Sequence, residues 1–344
     1  DFAWDSATLE KTNKLKYFNG SWQICSQETA ASFSAVGYFF GCKIQREENI
    51  PVGLIQVAVG GSPIVSWMDR FSMESDPLLL NELYDWKHSD FIMPWARERA
   101  LENIRDSRNP RQGHPYEPCY NFEAGIRQLI RTPVKGIIWY QGESDVHNVD
   151  LYKDNFKKLI RGWRKLWNRD LPFYFVQLSS MDRPSWPYFR DMQRQLAKEI
   201  GNTGMVVSSD LGDSLNVHPT HKKAVGERLS LQALRNTYHR NVVANGPEPA
   251  KAVQAGNKIT ILFREAKKLT TRKREELSGF EVMNENGRIS GVRAEIRNKT
   301  VVLYLTGPAK ITEIFYAYQP FTDANLENEA GLPASTFSMA VRYQ

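Results

Sequence analysis

Three short stretches of this sequence hold residue types that could do chemistry together. Gly136 to Asp145 (GIIWYQGESD) runs from a β-branched and aromatic segment into Gln141, Gly142, Glu143, Ser144 and Asp145. Asp210 to Pro219 (DLGDSLNVHP) sets His218 a few residues after Asp210 and Asp213. Gly60, Gly61, Ser62 and Pro63 close an apolar run and leave backbone N–H groups without side-chain cover.

The chemistry these types suit is proton transfer beside a developing negative charge. His218 with carboxylates nearby fits a general base whose second ring nitrogen needs an orienting acceptor. The same position fits an exposed or helix-capping histidine equally well. Gln141 and Glu143, unlike polar groups beside a buried strand, need partners and are read as holding substrate or oxyanion. Ser144 or Asp145 could instead cap a helix beginning near Val149. Asp145 with His147 offers only two metal ligands, with no third nearby, and no metal is assigned. Ser62 follows Gly61 but lacks the G-x-S-x-G setting of a nucleophile elbow.

Placing these stretches side by side requires a parallel sheet whose strand ends open onto a common edge. Phe33 to Ile44 has helical apolar spacing, and Gly53 to Val59 (GLIQVAV) reads as a strand covered on both faces. A helix is expected within Asp76 to Arg105, and Asn121 to Leu129 reads as helical. Gly136 to Tyr140 is the next strand. Leu151 to Trp167 is an amphipathic helix with Tyr152, Phe156, Leu159, Ile160, Trp163 and Leu166 on one stripe. Strand Phe173 to Leu178, helix Asp191 to Ile200, strand Gly204 to Ser209 and helix Ala224 to Tyr238 follow in alternation, the signature of an α/β domain over residues 1–240. After the linker Asn245 to Pro249 the pattern turns to short alternating runs, so residues 241–344 are expected to form an all-β, sandwich-like module.

The bulk composition excludes several classes. With 45 Lys and Arg against 39 Asp and Glu among 344 residues, the charge of +6 is spread rather than gathered, which argues against nucleic-acid binding. No run of about 18 apolar residues appears, so no membrane helix is expected. The first residues, DFAWDSATLE, lack a signal-peptide pattern. Cys25, Cys42 and Cys119 are too few and too unevenly spaced for a disulfide framework or a zinc site.

Taken in order, FSAVGYFFG (Phe33 to Gly41), PVGLIQVAVGGSPIVSW (Pro51 to Trp67), KGIIWYQGESD (Lys135 to Asp145), Trp163 with Arg164, LPFYFVQL (Leu171 to Leu178), DLGD (Asp210 to Asp213), HPTHKKAVGERL (His218 to Leu229) and NLENEAGLPASTF (Asn325 to Phe337) resemble the sialate O-acetylesterase family of SGNH-type carbohydrate esterases. The resemblance covers nearly the whole chain. It implies a three-layer, flavodoxin-like α/β fold and a cofactor-free serine esterase that removes O-acetyl groups from sialic acids, with an acetylated sialoside as substrate and a secreted or periplasmic location. It further implies His218 as base, Gly60 and Gly61 as oxyanion donors, and Gln141, Glu143 and Trp67 on the substrate side. The family's Gly-Gln-Ser-Asn-Met-like nucleophile block and the strand before it are not found in these residues, and both are expected upstream of Asp1. Asn216 stands where relatives often carry an acid, so Asp213 or Asp210 is left to orient His218, or a serine–histidine dyad operates. A catalytically silent sugar-binding relative and an acetylesterase acting on plant polysaccharide are the alternatives. The aromatic residues Trp86, Trp95 and Tyr116, with His114, are expected to set sugar choice.

Overall fold

The computed structural model describes residues 2–344. The chain divides into two compact units that are interleaved in sequence. Unit 1 comprises Asp1–Gly37, Gly53–Ile137 and Gln141–Phe173, and unit 2 comprises Tyr38–Val52, Ile138–Tyr140 and Tyr174–Gln344.

Unit 1 is mainly helical. Its helices are α1 (Ser6–Asn13), α2 (Gln27–Ala31), the start of α3 (Ala35–Glu48), α4 (Arg70–Glu74), α5 (Leu80–Asp85), α6 (Pro94–Ile104) and α7 (Val149–Trp167). The amphipathic stripe predicted for α7 is buried at Tyr152, Phe156, Leu159, Ile160 and Trp163, whereas Leu166, placed on the same stripe, is 40% exposed. Phe156 meets Phe173 edge-on, and Trp163 Nε1 donates to Trp67 O at 3.0 Å. The helix starts where the Asn148 side chain accepts from Leu151 N and stops at Asn168, in the left-handed conformation. Asn148 therefore takes the capping role considered for Ser144 and Asp145.

Two expectations are corrected in this unit. The strand expected at Gly53 to Val59 is not one: the segment carries no strand pairing among the described residues and alternates between exposed and half-buried positions. Apolar sequence fills a strand only where a neighbour takes its backbone bonds. The helix expected within Asp76 to Arg105 is split into α5 and α6, and α6 begins with Pro94 at its first turn, where the missing N–H has no cost. Asn121 to Leu129 is helical as expected but irregular, a wide π turn over Phe122–Ile126 followed by 3-10 geometry over Arg127–Leu129.

In unit 2, β1 (Ile137–Trp139), β2 (Phe173–Val176) and β3 (Thr203–Val206) form a parallel sheet in the order β1-β2-β3, whose first residues in β1 and β2 belong to unit 1. All four residues of β2 are buried, as its unbroken apolar sequence requires. Helices α8 (Trp186–Glu199) and α9 (Lys222–Asn236) both pack on β3, and Leu196 and Leu229 on them are buried.

The remaining strands belong to the same unit. Strands β4 (Glu248–Ala255), β5 (Lys258–Arg264), β6 (Leu269–Thr271), β7 (Phe280–Asn284), β8 (Gly287–Ile289), β9 (Arg293–Arg297), β10 (Thr300–Tyr304), β11 (Glu313–Tyr316), β12 (Leu326–Asn328), β13 (Phe337–Ala340) and β14 (Arg342–Tyr343) build sheets ordered β14-β4-β5-β10-β9, β13-β11-β7-β8 and β12-β6. Strand β5 shows the alternation that makes such a layer: Ile259, Ile261 and Phe263 are buried and the residues between them exposed. Register then pairs Ile261 with Val301 and Ile259 with Leu303, and the inner faces share a core with Val282, Ile314 and Phe337.

Candidate active site

The best-defined polar construction in unit 1 surrounds the turn Gly60–Gly61–Ser62. Three successive carbonyls of this turn are held from behind. Tyr116 Oη donates to Gly60 O at 2.8 Å, Ser144 Oγ to Gly61 O at 2.8 Å, and Gln141 Nε2 to Ser62 O at 3.1 Å. Ser62 N and Oγ both donate to Val59 O. In a trans peptide the carbonyl of one residue and the N–H of the next point opposite ways. Fixing Val59 O and Gly60 O backward therefore turns Gly60 N–H and Gly61 N–H forward. Among the described residues neither N–H has a partner. Each N–H points away from the carbonyl before it and is held there, the kind of fixed donor a developing oxyanion needs.

The turn demands glycine at one position only. Gly61 has φ +78°, and a Cβ there would lie 2.5 Å from Tyr116 Oη and 2.6 Å from the Trp95 ring, whereas a Cβ on Gly60 would meet nothing within 4 Å.

Asp145 ties the construction together. Its carboxylate accepts from Ile64 N at 3.2 and 3.1 Å and from Gln141 Nε2, so one buried group fixes both the segment after Ser62 and the side chain that holds Ser62 O. Burial pushes the Asp145 carboxyl up to about 7, against the bonds from Gln141 and Ile64 that favour its charged form. Glu82 is a second buried acid in the unit, fully inaccessible and without a hydrogen-bond partner for either oxygen, and burial with the Asp145 charge raises it to about 8.

The other expected site residues fall as follows. Trp67 lies behind the turn, buried, with Nε1 donating to Ser62 Oγ at 2.9 Å. Ser62 and Ser144 are buried with their hydroxyls committed to the turn. Glu143 is half-buried beside Ser144. Trp86, His114 and Tyr116 are buried rather than presented to a sugar, and His114 stacks on Trp4 at 4.7 Å. Burial holds the His114 imidazole neutral, its pKa lowered to about 3, with Nδ1 accepting from Tyr116 N. Through that bond it positions Tyr116.

In unit 2 the loop after β3 carries His218, which is exposed. Asp213 Oδ1 accepts from Leu215 N and Asn216 N, and Asn216 Oδ1 accepts from His218 N at 2.9 Å, a relay of side chain to backbone that shapes the approach to the histidine. Both Asp210 oxygens are taken by Arg228 at 2.7 Å. Gly212 passes so close to Ser180 that a Cβ would stand 2.2 Å from its carbonyl oxygen.

Sequence reasoning found the members of the turn but missed Tyr116 and Asp145 as its supports, because their partners lie 56 and 81 residues away. Among the described residues no group of three or more His, Cys, Asp or Glu is placed to hold a metal ion, and no helix is long and apolar enough to cross a membrane.

Comparison with known proteins places these observations. Residues 101–235 match the sequence profile described as carbohydrate esterase, sialic acid-specific acetylesterase. Sialate O-acetylesterase of Rattus norvegicus is 29% identical over 251 residues, covering 63% of this chain and 45% of that protein. The Homo sapiens protein of the same name is 29% identical over 250 residues, with 63% and 42% covered. The chain thus spans less than half the length of these relatives. A crystal structure of a carbohydrate acetylesterase from Xanthomonas citri superposes with a TM-score of 0.78 at 27% identity, over 94% of this chain and 68% of that one.

Proposed function

We propose, for a chain that belongs to the sialate O-acetylesterase family of carbohydrate esterases, a role in removing O-acetyl groups from sialic acids by a serine–histidine mechanism. The observation that carries the reading is the back-anchored turn, whose Gly60 and Gly61 N–H groups are unpartnered and aimed forward. In ester cleavage the carbonyl oxygen gains negative charge as the tetrahedral intermediate forms, and two fixed donors stabilise that charge more than the ground-state carbonyl. His218 is assigned as the base that takes the nucleophile's proton and returns it to the leaving alcohol. Asp213 is assigned to the shape of the His218 loop, through Leu215, Asn216 and the Asn216 side chain. Gln141 has its amide on Ser62 O and Asp145, and with Glu143 it is assigned to the substrate side by the family resemblance.

The nucleophile is assigned to a serine in residues N-terminal to Asp1, because the Gly-Gln-Ser-Asn-Met-like block that carries it in this family is not found in these residues. On this reading β1, β2 and β3 with their flanking helices belong to a three-layer SGNH-hydrolase-like arrangement, and the protein acts outside the cytoplasm on sialosides. The test is hydrolysis of an aryl acetate and of O-acetylated sialic acid by the protein with its upstream residues present. We expect activity that His218→Ala lowers by about 10²- to 10⁴-fold, the usual worth of a general base. An active longer protein indifferent to His218→Ala would exclude the mechanism. The engaged hydroxyls of Ser62 and Ser144 equally fit a second reading, a sugar-binding relative without hydrolysis, and binding of acetylated sialosides with no turnover by the longer protein would select it.

A further inference from the structure

A half-open cavity of ≈ 290 Å³ lies within unit 2, between α8, α9, the segment 244–248 and residues 332–335. Its floor is β3, the outer strand of the parallel sheet. Two outward carbonyls beside it are already covered, Met205 O by Gln232 Nε2 and Val207 O by Arg228 Nη1, so the edge is closed to another strand without being filled.

The wall is polar, with its charged side chains engaged in ion pairs. Arg194 pairs with Asp191 and Glu248, Lys198 with Glu248, Arg228 with Asp210 and Arg235 with Glu265. Each cation is paired with a carboxylate, Arg194 and Lys198 sharing Glu248, which weakens the pull of the wall on a phosphate or a carboxylate. It offers instead fixed guanidinium donors beside carboxylate acceptors. Gln232 is locked between Met205 O, Ala244 O and Asn245 Oδ1. Ser335 is the exception: the residue borders the cavity and is 4% exposed, and its buried hydroxyl has no hydrogen-bond partner. A buried hydroxyl left unpaired calls for a ligand or solvent group.

We propose that this cavity is a second ligand site and that it takes one uncharged sugar ring. A pyranose carries hydroxyls that each donate and accept, which suits alternating paired ions better than an ion of either sign, and its C–H faces suit the apolar patches at Ala197, Leu332 and Pro333. The volume sits near the lower end of the ~300–1,000 Å³ typical of small-molecule sites, enough for a single ring. The inference is independent of the esterase reading: Asp210, offered above as an orienter of His218, has both oxygens taken by Arg228, and no other residue named here belongs to that chemistry.

The test is ligand-observed saturation-transfer NMR on the 344-residue chain with galactose, xylose, N-acetylglucosamine and, as charged controls, sodium acetate and inorganic phosphate. We expect saturable binding of at least one neutral sugar, unchanged by His218→Ala, weakened about 2- to 10-fold by Ser335→Ala as for one neutral hydrogen bond, and abolished by Ala197→Trp, which fills the cavity. In the unsubstituted protein, amide shifts on sugar addition should cluster at residues 204–207, 232–236 and 333–335, a readout that stands even if Ala197→Trp does not fold. Binding of none of the sugars, shifts clustering elsewhere, binding retained in a folded Ala197→Trp protein, or competition by phosphate or acetate would each overturn the proposal.

Discussion

Gly60 and Gly61 are neighbours with the same side chain, yet substitution should separate them. Gly61→Ala meets both a left-handed backbone and overlap with Tyr116 and Trp95, so we expect a loss of about 1–3 kcal/mol in chemical denaturation and disruption of the turn. Gly60→Ala points into open space and should leave the unfolding midpoint nearly unchanged. Glu82 makes a second prediction at this scale. Its pKa in the fold, about 8, stands above the ordinary 4.5, so the protonated form favours folding. That contribution is complete below pH 4.5 and is lost as pH rises through about 8. Asp145, raised from 3.8 to about 7, acts in the same direction over a lower window. Melting temperatures of Glu82→Gln and the unsubstituted protein, compared across the pH range, should diverge in favour of the substituted protein as pH climbs from 5 to 9. A difference that stays flat would show that Glu82 is not titrating inside the fold. The identities of the turn residues were legible in the sequence as glycines and polar groups at segment ends, but the bonds that give them direction were not, because spacing along a chain carries no information about partners dozens of residues away.

At the scale of elements, legibility followed how each element is stabilised. Helix α7 has its own amphipathic stripe, and β2 is apolar throughout, so local pattern sufficed for both. The segment Gly53 to Val59 has an equally apolar sequence and fails as a strand because its state depends on a neighbour. Helix α8 illustrates a third case. It carries Arg190, fully buried, which donates to Thr336 Oγ1 and to the carbonyls of Pro320, Ala317 and Gln319. Nothing in the sequence marks this arginine as interior, since arginine is ordinarily a surface residue. Burial lowers it to about 9, and the acceptors around it compensate the lost hydration. Arg190→Met takes a donor from four oxygens, of which Pro320 O keeps Met181 N and Ala317 O keeps Thr336 Oγ1, and urea unfolding should register a loss of about 3–5 kcal/mol. A loss under ~1 kcal/mol would mean that solvent replaces the guanidinium there.

At the scale of the whole molecule, each unit is assembled from three separated lengths of chain, so neither exists as one continuous fragment. The change of pattern at Asn245 to Pro249 was readable as a linker, yet that segment lies inside unit 2, with Ala244 O and Asn245 Oδ1 held by Gln232. Composition reports local stiffness, and partners from other elements decide where a unit ends. The bare stretch Gly53 to Val59 also bears on how this polypeptide behaves as a colloid. Ile55 is 40% exposed, and in the same unit Trp22 and Ile24 stand 72% and 91% exposed. Among the described residues no backbone group of 53–58 takes part in a backbone hydrogen bond, and exposed apolar side chains beside such a segment form a template on which a second molecule can stack. We therefore expect light scattering of the 344-residue chain to rise steeply with concentration, and Ile24→Lys with Ile55→Lys to suppress that rise without lowering the melting temperature. On this view the stretch that failed as an intramolecular strand is what limits the solubility of the chain.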